Sequence, residues 1–192
     1  MFVFRNRCFE NYWKHVSLDM ARSQFEHSRS RLFNVNDWSD LRIFTADFEL
    51  YDSNLIHTSS LLEVGSYIKI TFPLSMPVNW VKVKEIYNDD SKAYFVVHPV
   101  SDPQKESSDT VAHFLRRKAS SIFKVQIEGT KVYGYEIGRN ELINNKGEQA
   151  GNRKFINTIM AWGGWLGLQR YQWGKLTKHF VRTEPLLTMT KS

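Results

Sequence analysis

Apolar residues recur along this chain with two different periods, and the change of period sets the expected order of elements. In residues 9–28, Phe9, Trp13, Val16 and Met20 stand at offsets of four, seven and eleven, the spacing of one helical stripe. Arg22, His27, Arg29 and Arg31 crowd the end of that segment, where cations suit a helix dipole. The pattern predicts an amphipathic helix. From Ile43 the period falls to two. Phe44, Ala46, Phe48 and Leu50 alternate with Thr45, Asp47 and Glu49, and Ile68, Ile70 and Phe72 alternate with Lys69 and Thr71, as in half-buried strands. A turn at 62–66, the prolines Pro73 and Pro77 and a turn at Asn88-Asp89-Asp90 separate these runs from further strands at 80–84 and 93–97.

Two strands at 121–127 and 131–137 flank Glu128-Gly129, the clearest hairpin signal in the chain. Loops marked by Gly147 and Gly151 then lead to Phe155, Ile156, Ile159, Met160 and Trp162 on one helical face, and Trp173, Leu176, Phe180 and Val181 form a second stripe. Gly163 and Gly164 fall between the two stripes and permit a kink or close packing. The reading is α+β: an N-terminal helix, a small antiparallel barrel-like or bent sheet, a β-hairpin and a C-terminal helical hairpin.

Within residues 45–100 a Val-Gly turn, a short strand, a loop, the Trp80-Val81-Lys82-Val83 strand, an acidic turn and another strand follow one another. That order resembles a small SH3-like or Tudor-like barrel, which implies a topology and no particular function.

A chain of 192 residues buries enough surface to fold as one domain without disulfide or metal. Only the polar stretch 101–110 offers a place for an internal boundary. Aromatics make up 14% of the residues, with six Trp and thirteen Phe, which argues for a packed core. Cys8 is the single cysteine, so no intrachain disulfide forms and a reducing, cytoplasmic location is the expectation. No signal-peptide pattern opens the chain, although export of the folded protein by a specialised machine stays open. The longest charge-free apolar run, 159–168, covers ten residues, about half of a bilayer core at ~1.5 Å per residue.

Net charge is +6, from 26 Lys and Arg against 20 Asp and Glu, which favours anionic partners: an acidic protein surface, nucleic acid or lipid head groups. Three segments concentrate chemistry. In the first, His113, Arg116, Arg117, Lys118, Ser120 and Ser121 combine cations and hydroxyls suited to phosphate, with His113 as a candidate base. The second has Arg139, Asn140, Asn144 and Asn145 for anion binding, with Glu136 and Glu141 as candidate bases. Antiparallel pairing about Glu128-Gly129 would bring the outer ends of these two segments to one edge of the sheet. In the third, Trp162, Trp165, Arg170, Tyr171 and Trp173 make an interface inventory that fits an ordinary core helix equally well.

Zinc spacings, phosphate loops, dinucleotide fingerprints and nucleophile elbows are all missing from the sequence, so no cofactor is expected. The leading expectation is a non-catalytic binding module for an acidic protein partner, of adaptor or immunity type. The first alternative is a small toxin or effector hydrolase acting on nucleic acid, the one case in which Mg²⁺ would enter. The second is binding to an anionic membrane surface through residues 162–173.

Overall fold

The computed structural model describes residues 5–40, 46–72, 78–105, 119–141 and 164–183. In chain order these form β1 (Arg5–Lys14), α1 (Leu18–Phe33), a 3-10 turn (Val35–Asp40), β2 (Asp47–Tyr51), β3 (Tyr67–Thr71), β4 (Asn79–Asn88), β5 (Lys92–Val100), β6 (Ser120–Glu128), β7 (Lys131–Glu141) and α2 (Gly164–Val181). The fold is α+β, with the helices packed on one face of a curled antiparallel sheet of seven strands in the order β1-β7-β6-β5-β4-β3-β2.

The N-terminal segment departs from its helical reading. Residues 9–14 belong to β1, which pairs with β7 from Arg5↔Glu141 to Lys14↔Lys131. The same segment also alternates, Phe9, Asn11 and Trp13 against Cys8, Glu10 and Tyr12. Its aromatic residues suit a strand, and the long partner β7 decides the ambiguity in favour of pairing. The helix begins only after Ser17, whose hydroxyl accepts a hydrogen bond from the Met20 backbone N–H at 3.2 Å, an N-cap. Trp13, Val16 and Met20, expected on a buried stripe, are 49%, 89% and 46% exposed.

The strands expected from the period-two runs are all present, and the curl of the sheet fits the bent-sheet expectation. A separate SH3-like barrel over 45–100 is not formed. β2, β3, β4 and β5 do not close on one another; β5 continues the ladder to β6 through Phe95↔Phe123, on the far side of the polar 101–110 stretch. The hairpin turn falls as expected, with Gly129 at φ +57°, a left-handed conformation that favours glycine. In the C-terminal region the second stripe is seen: Trp173, Leu176, Phe180 and Val181 are buried on α2. The preceding stripe at 155–162 lies outside the described residues.

Trp38, on the 3-10 turn, fills the space between the layers and is fully buried. Its ring lies 5.3 Å from Phe48 of β2, 5.9 Å from Phe95 of β5, 5.0 Å from Phe123 of β6 and 5.4 Å from Phe180 of α2. Its indole N–H donates to the Arg31 carbonyl at 2.9 Å, so the ring is buried with its polar atom satisfied. Across the sheet, α2 crosses β7 at Gly134, where an added Cβ would stand 2.8 Å from the Thr177 carbonyl oxygen and 3.1 Å from Phe180. Among the described residues no helix is long and apolar enough to cross a membrane.

Two substitutions test this packing in urea denaturation. Trp38→Ala removes the hub and is expected to lower stability by about 3–5 kcal/mol. Gly134→Ala has to push α2 off β7 and is expected to cost about 1–3 kcal/mol, whereas alanine at exposed, positive-φ Gly129 strains only a turn.

Candidate functional site

Strand alternation divides the sheet's residues between a face packed under the helices and an outer face. Phe9, Asn11, Phe123, Val125, Val132, Gly134 and Glu136 point inward, and Asn11 donates to the Gly174 carbonyl at 3.2 Å and to the Thr177 hydroxyl at 2.8 Å on α2. The outer face carries the intervening residues, and no described element packs on it.

Register aligns two rows of that outer face. In one, Tyr87, Tyr94, Lys124, Tyr135 and Glu10 are successive neighbours across β4, β5, β6, β7 and β1. In the next, Lys92, Gln126, Tyr133 and Tyr12 run across β5, β6, β7 and β1. Tyr87 and Tyr94 stack with centroids 5.2 Å apart, Tyr133 and Tyr135 at 5.9 Å, and Tyr12 lies 5.4 Å from Tyr133. The ammonium of Lys92 sits 4.6 Å from the Tyr87 ring centre and 5.9 Å from that of Tyr94, Lys124 4.7 Å from Tyr135, and Lys131 5.0 Å from Tyr12. These are cation–π distances.

The two signs of charge on this face are handled differently. Glu85 accepts a hydrogen bond from the Tyr94 hydroxyl at 2.6 Å, Asp89 from the Tyr87 hydroxyl at 2.6 Å, and Glu128 from Gln126 at 2.8 Å. The Tyr87 hydroxyl, with backbone N–H groups of the β4–β5 turn, holds the Asp89 carboxyl well below the usual carboxylate range. Lys92, Lys124 and Lys131 make no ion pair among the described residues. Burial, and then the neighbouring charge of Lys92, push the Lys124 ammonium below its ordinary value. The face therefore presents cations resting on aromatic rings, while most of its carboxylates are already engaged.

The residues singled out in the sequence are scattered by comparison. Ser120 pairs with Arg139 and Ser121 with Gly138, so the inner ends of the two polar segments meet across the hairpin, while their outer ends lie outside the described residues. Arg139 is exposed, whereas Glu136 is wholly buried between Phe9 and Phe123; three positions apart on one strand, they point to opposite faces and do not share a groove. Asn140 and Glu141 close β7, with Glu141 opposite Arg5. His113, Arg116, Arg117, Lys118, Asn144, Asn145 and Trp162 lie outside the described residues. On α2, Trp165 is in the first turn, Arg170 and Tyr171 are exposed, and Trp173 is a core residue whose ring meets Phe123 at 5.7 Å. No cluster of metal-ligating side chains occurs among the described residues.

Nothing in the sequence reading pointed to the tyrosine and lysine rows. Within single strands the i, i+2 pairs Glu10 and Tyr12, Lys92 and Tyr94, Lys124 and Gln126, and Tyr133 and Tyr135 were a visible signal of a shared face. Members on different strands are brought together by register.

No family model matches this chain, and no curated protein does. Several solved structures align with most of this chain at low similarity. A hypothetical protein, jhp0584, from Helicobacter pylori is 13% identical with a TM-score of 0.48, covering 86% of this chain and 88% of that one. A norcoclaurine synthase from Thalictrum flavum is 10% identical with a TM-score of 0.45 over 94% of this chain and 97% of that one. The ginseng major latex-like protein 151 from Panax ginseng is 12% identical with a TM-score of 0.43, over 92% and 99%. At these identities and scores no ligand or reaction transfers to this chain.

Tyr135 gives the face a pH signature. Burial, followed by the charges of Glu10 and Glu128, pushes its hydroxyl up from an ordinary 10.0 to about 12. Between those values the folded chain holds a proton that the unfolded chain has lost. This group's contribution to stability is thus intact below about pH 10 and is lost as pH rises toward 12. Tyrosinate absorbance of Tyr135→Phe is expected to lack one late-titrating phenol, and that variant's stability is expected to fall less steeply over the same window.

Proposed function

We propose that the protein is a non-catalytic interaction module whose outer sheet face, centred on Tyr94, Lys124 and Tyr135, binds an acidic protein surface. The observation that carries this reading is the placement of Lys92, Lys124 and Lys131 over tyrosine rings rather than against carboxylates. A partner's Asp or Glu gains charge-assisted hydrogen bonds there without first breaking an ion pair. Tyrosines supply large contact area at small entropic cost and are enriched in binding hot spots. The rigid ladder beneath them fixes their spacing before a partner arrives.

The same geometry disfavours a stacking platform for single-stranded nucleic acid. Bases stack on open aromatic faces, and here lysine ammonium groups lie over Tyr12, Tyr87, Tyr94 and Tyr135. A base would have to displace those cations before it could stack.

Fluorescence anisotropy distinguishes the two partners, using a labelled Glu- and Asp-rich peptide and a labelled single-stranded RNA over a range of salt. The peptide is expected to bind in a salt-sensitive manner. The combined change Lys92→Glu, Lys124→Glu, Lys131→Glu is expected to weaken it by about tenfold or more, equivalent to about 1.4 kcal/mol, in a protein whose circular dichroism is unchanged. Tighter binding to RNA than to peptide, or peptide binding indifferent to the triple change, overturns the proposal.

A further inference from the structure

The corner that joins β1 to α1 exposes an unusual density of large apolar side chains. Within nine residues, Tyr12 is 53% exposed, Trp13 49%, Val16 89%, Leu18 43% and Met20 46%. The corner is rigidly tied to its surroundings. The His15 backbone N–H donates to the Thr130 carbonyl at 2.8 Å, fastening it to the β6–β7 turn, and Ser17 caps the helix that follows. His15 itself is buried beneath it. These side chains are therefore held out by ordered backbone.

Cations frame the apolar tip. Lys14 ends β1, Lys131 lies over the Tyr12 ring at 5.0 Å, and exposed Arg22 stands one helical turn beyond Leu18. Of the nearby carboxylates, Asp19 sits in the first turn of α1, where the helix dipole accommodates it, and Glu128 accepts from Gln126. A side chain nine-tenths exposed, as Val16 is, cannot line a groove with walls to grip a peptide. It suits a fluid surface that closes around a projecting tip.

We propose that this corner docks the protein on an anionic lipid surface, with Trp13, Val16, Leu18 and Met20 entering the head-group boundary and Lys14, Arg22 and Lys131 meeting lipid phosphates and carboxylates. Partial burial of apolar side chains and attraction between basic residues and anionic lipid act together in such contacts. Trp and Tyr, amphipathic and bulky, suit the boundary layer. The docking surface is distinct from the Lys92 and Lys124 part of the outer sheet face.

Sedimentation of the full chain with vesicles of phosphatidylcholine, with and without phosphatidylserine, tests the idea. Binding is expected only when phosphatidylserine is present and is expected to fall with salt. Val16→Asp and Leu18→Asp alter exposed positions, so the fold should survive, and each is expected to reduce vesicle binding by about tenfold or more. Trp13→Phe is expected to retain binding while diminishing the vesicle-induced blue shift of tryptophan emission. Lys92→Glu with Lys124→Glu should leave vesicle binding unchanged, so failure of the acidic-partner reading leaves this test intact. Absence of binding to phosphatidylserine vesicles, or binding indifferent to Val16→Asp and Leu18→Asp, overturns the proposal. Concentration-dependent self-association that the same two changes abolish, without vesicle binding, also overturns it and assigns the corner to a second copy of the chain.

Discussion

The packing of this protein depends on one indole. Trp38 stands where β2, β5, β6 and α2 converge, and its ring meets an aromatic ring from each of these four elements. Its N–H is bonded to α1 through the Arg31 carbonyl, so the first helix is located by the same residue that joins sheet to second helix. The counterpart on the far side is the absence of a side chain at Gly134, which lets α2 approach β7 to contact distance. A large residue at the centre and a missing one at the crossing together set the height of α2 above the sheet. Secondary bonds then fix its angle: Gln172 accepts from the Ala46 backbone N–H at 2.7 Å, and Gln24 and Arg31 of α1 donate to the Arg182 carbonyl just beyond its end.

The helices take up the inner face of the sheet, and no described element packs on the outer one. There the polar groups sort themselves by partner, phenol hydroxyls with carboxylates and phenol rings with ammonium groups. Each tyrosine can serve both at once because the hydroxyl lies in the ring plane and the cation lies above it. Tyr94 does this with Glu85 and Lys92, and Tyr87 with Asp89 and Lys92. The result is an ordered, mixed-charge surface on which ammonium groups lie over rings and phenol hydroxyls are bonded to carboxylates.

How much of this was legible in the sequence varies with the range of the interaction involved. β2 to β7 were readable because alternation is local, and the Glu128-Gly129 turn because it is confined to a few residues. β1 was not, since Phe9, Trp13, Val16 and Met20 fit a helical period as well as Phe9, Asn11 and Trp13 fit an extended one, and the deciding partner lies more than a hundred residues away. Trp38 carries no periodic signature at all, being on a 3-10 turn. The candidate site was opaque for a related reason: Tyr12, Tyr87, Tyr94 and Tyr135 become neighbours only through four strand pairings in register. Basic runs such as 116–118 attract notice in a sequence because they are contiguous, whereas a surface built by a sheet is contiguous only in space.

The pairing of the first strand with the last also bears on how the chain is made. Lys14 meets Lys131 and Arg5 meets Glu141, so between about 117 and 136 further residues must be synthesised before β1 finds its partner. At ~5–20 residues per second, an aromatic, strand-forming segment leaves the ribosome well before its partner and waits roughly 6–27 s unpaired. Such a segment is one that a nascent-chain chaperone would be expected to shield. The sheet then closes late, when the β6–β7 hairpin arrives carrying the matching edge.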